Sequence, residues 1–128
     1  MADILPGSSS MQDYLKAILE ITEKNGSARV SDIASRLDVT KPSVTQMVNN
    51  LENKGLVKQE PYGPVGLTAA GRELAIRVRE RHMLLEKFLV EVLGVAMEIA
   101  QRDACMIEHV VSPQTMEKLV EYLANVSL

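Results

Sequence analysis

Tryptophan is absent from this 128-residue chain, phenylalanine occurs once and tyrosine three times. So few rings argue against single-strand nucleic-acid binding, which relies on bases stacking on aromatic faces. One cysteine, Cys105, leaves no internal disulfide and suits a thiol in a reducing compartment. No apolar run approaches the roughly 18 residues of a membrane span. The first ten residues carry an acidic Asp3 and lack the apolar stretch of a signal peptide. Internal repeats and low-complexity tracts are missing too. What remains is ordinary: 46% apolar and 24% charged residues exclude a disordered chain, a collagen-like fibre or a disulfide scaffold. The length suits one domain, or two small lobes sharing a long helix. The expectation is a cytoplasmic, soluble protein with no membrane partner.

The net charge of −3 is unevenly spread. Residues 1–27 carry −2, 28–60 carry +1, 69–87 carry +2 and 88–128 carry −4. A nucleic-acid surface is therefore compatible with the middle of the chain despite the acidic total. The acidic last third invites a cation.

Apolar spacing predicts the elements. Ser10 is expected to cap a helix running to about Glu23, with Tyr14, Leu15, Ile18, Leu19 and Ile21 on its apolar side and Asn25-Gly26 as its stop. Val30 to Leu37 reads as a short second helix and Asp38-Val39-Thr40 as a turn. Thr40 caps a third helix with Pro42 in its first turn and Val44, Met47, Val48 and Leu51 as its stripe, ended at Lys54-Gly55. Residues 56–60 and 65–67 read as a hairpin about the turn Pro61-Tyr62-Gly63-Pro64. Thr68 caps a long helix to about Val92, broken at Gly94. A further helix covers roughly 95–110, and Ser112-Pro113 opens a last one to about Ala124. The fold expected is mainly α, with an N-terminal winged helix-turn-helix. In that fold the third helix lies in the DNA major groove and the hairpin reaches the flanking backbone.

Thr40, Lys41, Ser43, Thr45, Gln46 and Asn49 lie at or near the start of the third helix, away from its apolar stripe. Gln can bond adenine at two points, Ser and Thr can reach phosphates or base edges, and Lys neutralises phosphate. Alone they would be ordinary solvated positions; the helix-turn-helix makes them candidates for duplex contact. Tyr62 at the hairpin tip and Lys58 on the strand are weaker candidates.

A second constellation suits a metal. Cys105, Glu108 and His109 fall at i, i+3 and i+4 of a helix, which would put a thiolate, a carboxylate and an imidazole on one face. First-row transition metals take such ligands. His82 and Glu86 make another i, i+4 pair, and His82 and His109 are the chain's two histidines. Spacing leaves a metal face and a structural face equally open. Asp13, three residues after Ser10, also fits a capping box.

Residues 31–34 (Ser-Asp-Ile-Ala), 43–48 (Ser-Val-Thr-Gln-Met-Val), 67–72 (Leu-Thr-Ala-Ala-Gly-Arg), 81–89 and 104–112 (Ala-Cys-Met-Ile-Glu-His-Val-Val-Ser) resemble the DtxR/MntR metal-dependent repressors. The resemblance covers about residues 10–125. It implies a homodimer with a DNA-binding domain in residues 1–70 and a helical metal-binding and dimerisation domain in 71–128. It implies Fe²⁺ or Mn²⁺ as co-repressor, with Co²⁺, Ni²⁺ or Zn²⁺ as substitutes in vitro, and a palindromic double-stranded operator. By position, Asp13, Cys105, Glu108 and His109 would form the primary metal site, and His82 with Glu86 the ancillary one. The third, SH3-like domain of some members is not expected. Asp13 matches the manganese-responsive members and Cys105 the iron-responsive ones. Lys16 stands where the manganese type has a further carboxylate, and Gln101 where the iron type has a histidine. Thiolate softness places Fe²⁺ first and Mn²⁺ second. In the implied mechanism an ion bridging Asp13 to the second lobe fixes the spacing of the two recognition helices. The rivals are a winged-helix regulator gated by a small organic ligand, a winged helix used for protein contacts alone, and a metalloenzyme. No nucleophile–base pair or phosphate loop supports the last.

Overall fold

The computed structural model describes residues 7–126. Its helices are α1 (Ser9–Asn25), α2 (Val30–Leu37), α3 (Lys41–Asn53), α4 (Ala69–Lys87), α5 (Met97–Val110) and α6 (Pro113–Asn125). Strands β1 (Val57–Gln59) and β2 (Val65–Leu67) lie between α3 and α4. The chain divides into two compact units, residues 10–77 and residues 78–126 with 7–9.

In the first unit, Leu15, Ile18 and Leu19 of α1 are fully buried, as are Ile33 of α2 and Val44, Val48 and Leu51 of α3. Each such side chain removed from water contributes about 1.5–3 kcal/mol. Helix α2 ends on Asp38 in the left-handed conformation (φ 55°), and the Val39 N–H bonds back to the Ala34 carbonyl. That stop and the Thr40 cap give the tight turn before α3. Gly55 (φ 74°) ends α3. The wing follows: β1 pairs antiparallel with β2, Val57 opposite Leu67 and Gln59 opposite Val65. Its strand is shorter than the expected 56–60. Val65 also donates its N–H to the Ala28 carbonyl at 2.7 Å, an extra bridge that the period-2 pattern did not signal.

Two corrections concern helix ends. Helix α1 already includes Ser9, so Ser10 lies inside it and is not the cap. The serine run offers several cap residues in a row, and periodicity does not choose among them. At the other end, the helix runs to Val92 as expected, but its last five residues are not α-helical. Phe88–Val92 form a π-helical turn, with Leu93 N–H reaching the Phe88 carbonyl, and Gly94 (φ 71°) stops it.

The second unit packs Leu85 of α4 and Leu89 against Ala100 and Ala104 of α5 and Met116 and Leu123 of α6. Ser112 caps α6 by accepting the Thr115 N–H at 3.3 Å, with Pro113 as its first residue.

Thr68 ties helix to wing. Its hydroxyl donates to the Gly55 carbonyl at 2.7 Å and accepts the Gly71 N–H at 3.1 Å. A Cβ on Gly71 would sit 1.9 Å from the Leu56 carbonyl oxygen, so only glycine allows α4 to begin this close. Gly71→Ala is expected to cost about 1–3 kcal/mol through overpacking, read as a lower urea midpoint with an unchanged slope.

Candidate metal centre and nucleic-acid interface

Helix α3 presents its polar side as the stripe requires. Thr40, Lys41, Ser43, Thr45, Gln46 and Asn49 are all exposed. Their hydroxyls have local duties, however. Thr40 Oγ1 accepts the Ser43 N–H at 3.2 Å and lies 2.8 Å from Ser43 Oγ. Thr45 Oγ1 donates to the Lys41 carbonyl at 3.1 Å. Lys41, Gln46 and Asn49 are the longer groups facing solvent on this side. Tyr62, fully exposed at the wing tip, adopts φ 58°. The Arg29 guanidinium donates to its carbonyl at 3.5 Å. Arg29 was missed by the sequence reading because it precedes α2 and belongs to no amphipathic pattern.

The metal-type residues of the second unit fall into two groups. Cys105 Sγ and a ring nitrogen of His109 lie within 4.8 Å of one another, with Cys105 half-buried and His109 exposed. His109 Nδ1 is 3.0 Å from Ser9 Oγ. Glu108 is buried and turned toward α4. Its Oε2 lies 3.5 Å from His82 Nδ1 and its Oε1 lies 3.9 Å from Arg81 Nε. His82 Nε2 in turn meets Glu86 Oε1 at 2.7 Å. The expected common face of Cys105, Glu108 and His109 is thus divided, because a carboxylate out of water turns to the nearest positive or proton-donating groups. The His82–Glu86 pair is formed, and Glu108 extends it into a chain. Arg81 was also missed: it neighbours His82 in sequence, and adjacent helical positions do not share a face.

On the first unit Asp13 is half-buried on α1. Lys16 Nζ lies 3.6 Å from Glu20 Oε1, which also takes the Arg36 guanidinium. Gln101 is exposed.

This donor set fits a divalent first-row ion. It combines a thiol, imidazoles and carboxylates. Glu108 Oε1, though buried, makes no hydrogen bond among the described residues, which is the state of an oxygen with capacity to spare for a cation.

Comparison with known proteins places the two halves. Residues 8–65 match the N-terminal DNA-binding domain of iron-dependent repressors, and residues 68–127 match their metal-binding and dimerisation domain. The transcriptional regulator MntR of Escherichia coli O157:H7 is 44% identical over 107 residues, 84% of this chain and 68% of that protein. The chain belongs to the iron-dependent repressor family. Another relative, the iron-dependent repressor IdeR of Mycobacterium tuberculosis, is 38% identical over 112 residues, covering 88% of this chain and 49% of that one. Among solved structures, a manganese-dependent transcriptional repressor in complex with manganese aligns with a TM-score of 0.75 at 33% identity, over 89% of this chain and 52% of that chain. The IdeR of T. acidophilum aligns with a TM-score of 0.73 at 28% identity, over 88% of this chain and 53% of that one. The chain spans about half the length of these solved structures. Its relatives are transcriptional regulators and not enzymes, and the mainly helical fold with a winged helix-turn-helix is the family's. Among the described residues no helix is long and apolar enough to cross a membrane.

The hydroxyl geometry separates the capping positions of α3 from its solvent-facing ones. Thr40→Ala is expected to lower stability by about 1 kcal/mol, the usual worth of an N-cap, whereas Gln46→Ala should leave the denaturation midpoint unchanged. A chemical denaturation series on both variants checks this.

Proposed function

We propose that this chain is a cytoplasmic metal-dependent repressor that binds a palindromic operator as a homodimer when loaded with Fe²⁺ or Mn²⁺. The observation that carries the reading is the grouping of Cys105 with His109, in a chain of this family. Residues 1–70 would serve DNA binding and 71–128 metal binding and dimerisation. Asp13, Cys105, Glu108 and His109 would hold the ion, and His82 and Glu86 would offer an ancillary position. A thiolate among these ligands favours Fe²⁺, while the carboxylates favour Mn²⁺, and Fe²⁺ leads.

Bound there, a divalent ion would supply two positive charges and Lewis acidity to an otherwise acidic segment. The rest is the work of the chain. Asp13 and the α5 ligands belong to different units, so a shared occupant would link their arrangement to the spacing of two α3 helices. Half-sites one DNA turn apart, or a multiple of it, demand a fixed spacing. A coupling of about 1–3 kcal/mol per site suffices for a switch of about 5–150-fold. Thr40, Lys41, Ser43, Thr45, Gln46 and Asn49 would face the duplex, with Tyr62 at the wing. Of these, Lys41, Gln46 and Asn49 are the readiest for contact, since the hydroxyls of Thr40 and Thr45 already serve α3. For the homodimer, the second unit offers an apolar groove of about 520 Å³ that includes Met83, Leu84, Val90, Met97 and Ala124. Met83 and Met97 are exposed, as are Val92 and Leu93 nearby in sequence. Apolar surface gathered in this way marks an association site.

Fluorescence anisotropy with the promoter of a neighbouring metal-uptake gene, run anaerobically in EDTA, Fe²⁺, Mn²⁺ and Zn²⁺, tests the proposal. Binding should appear with Fe²⁺ or Mn²⁺ and vanish in EDTA. His109→Ala should keep the fold and dimer yet lose the gain of about 5–150-fold that the metal gives. Equal binding in EDTA and in every metal would overturn the reading and point to an organic effector. Tight calorimetric binding of Mn²⁺ with no anaerobic Fe²⁺ response would reverse the metal order.

A further inference from the structure

Glu108 has both carboxylate oxygens addressed from α4 by two consecutive residues. Arg81 Nε approaches Oε1 and His82 Nδ1 approaches Oε2. The Glu108 side chain is 4% exposed and that of Arg81 14%. Two facts set this pair apart from a surface salt bridge. Burial weakens screening by water and salt, so the mutual charge matters more than it would outside. And the pair is long, at 3.9 Å, with Oε1 making no hydrogen bond among the described residues, so the guanidinium neutralises the carboxylate without saturating it.

We propose that Arg81 is an internal counter-cation that competes with the divalent ion for Glu108 and so sets the metal concentration at which the protein responds. This rests on the reading above that Glu108 belongs to the metal site. Without metal, a buried carboxylate beside other acids is costly, and Arg81 offsets that cost in place. An ion on Glu108 would bring a second positive charge next to the guanidinium, and like charges at short range repel. Metal binding must therefore displace or tolerate Arg81, and part of the metal's affinity is spent doing so. Arg81 is a positioning residue in this scheme: it acts on the ion through the carboxylate and donates no ligand atom, since a guanidinium has no lone pair to offer at neutral pH. The role suits arginine, whose charge persists in surroundings where a lysine would shed its proton.

The test is isothermal titration with Mn²⁺ alone, in the absence of DNA, together with thermal unfolding of the metal-free protein. Arg81→Gln should bind Mn²⁺ more tightly by on the order of tenfold, the ratio that about 1.4 kcal/mol of competition produces. Its metal-free form should melt below wild type, and the rise in Tm on adding Mn²⁺ should be larger. Arg81→Lys, whose charge is lost more readily on burial than that of arginine, should fall between the two. In a Glu108→Gln background, Arg81→Gln should bring no gain in affinity, because the competed carboxylate is gone. Should the Gln variant fail to fold, Arg81→Met keeps the apolar stem and is read by the same titration. A folded Arg81→Gln or Arg81→Met that binds Mn²⁺ as wild type does, or more weakly, overturns the proposal while leaving the metal site standing. A wild-type protein that binds neither Mn²⁺ nor Fe²⁺ overturns both.

Discussion

A carboxylate removed from water needs a positive or proton-donating partner, and the second unit is arranged around that need at Glu108. The apolar side of α5 carries Ala100 and Ala104 into a core shared with Leu85, Leu89, Met116 and Leu123. Glu108 stands one turn beyond Ala104 and is drawn into the same protected region. An aliphatic residue there would pack with less penalty. Replacing a buried ionic group by a well-packed hydrophobe is commonly neutral or stabilising, so stability alone does not account for the glutamate. The Arg81 and His82 side chains meet it from α4, and Glu86 backs His82. The unit thus holds a largely buried polar chain in which Glu108, His82 and Glu86 are metal-ligand types, which is intelligible if the chain serves an ion.

The first unit follows a different logic. Its buried side is complete, from Leu15 through Val44 to Val65, and its polar side divides labour between structure and solvent. Thr40 and Thr45 spend their hydroxyls on α3 itself. Gly71 and Thr68 lock the wing to the start of α4. Rigid placement matters for recognition, since a helix that reads base edges must be held in register by its scaffold. Arg29, donating to the Tyr62 carbonyl, adds a positive charge beside the wing tip.

Much of this was readable in the residues. The turn Asp38-Val39-Thr40, the hairpin about Pro61 to Pro64, and the caps Thr40, Thr68 and Ser112 were marked by local chemistry that acts over three or four residues, and local chemistry survives folding. The misses share a cause. Three consecutive serines leave the start of α1 undetermined, and the π-helical turn at Phe88–Val92 has the apolar composition of ordinary helix. The bridge from Ala28 to Val65 and the meeting of Arg81 with Glu108 join residues far apart in sequence. For the metal-type residues, helical spacing pairs His82 with Glu86, which meet at 2.7 Å, and groups Glu108 with Cys105 and His109, whereas the Glu108 side chain turns to Arg81 and His82. Spacing states which side chains can share a face; it does not say which neighbour a flexible glutamate will choose once buried.

That choice also bears on how one site can hold ligands of mixed character. In the proposed site Cys105 would supply a soft donor, Asp13 and Glu108 hard ones, and the imidazole of His109 one that suits several first-row ions. Affinity alone does not select among such ions, because their order of binding strength is much the same at most sites. Geometry and local charge must do it. The segment 88–128 carries a net −4, which attracts any dication and discriminates little. A fixed positive charge at Arg81 opposes every dication and lowers affinity without regard to identity. Selection would then be left to the proposed ligands, among which a Cys105 thiolate would be the one donor whose softness separates Fe²⁺ from Mn²⁺. If the acidic segment and Arg81 together set how much metal is needed, Cys105 is left to decide which metal it is.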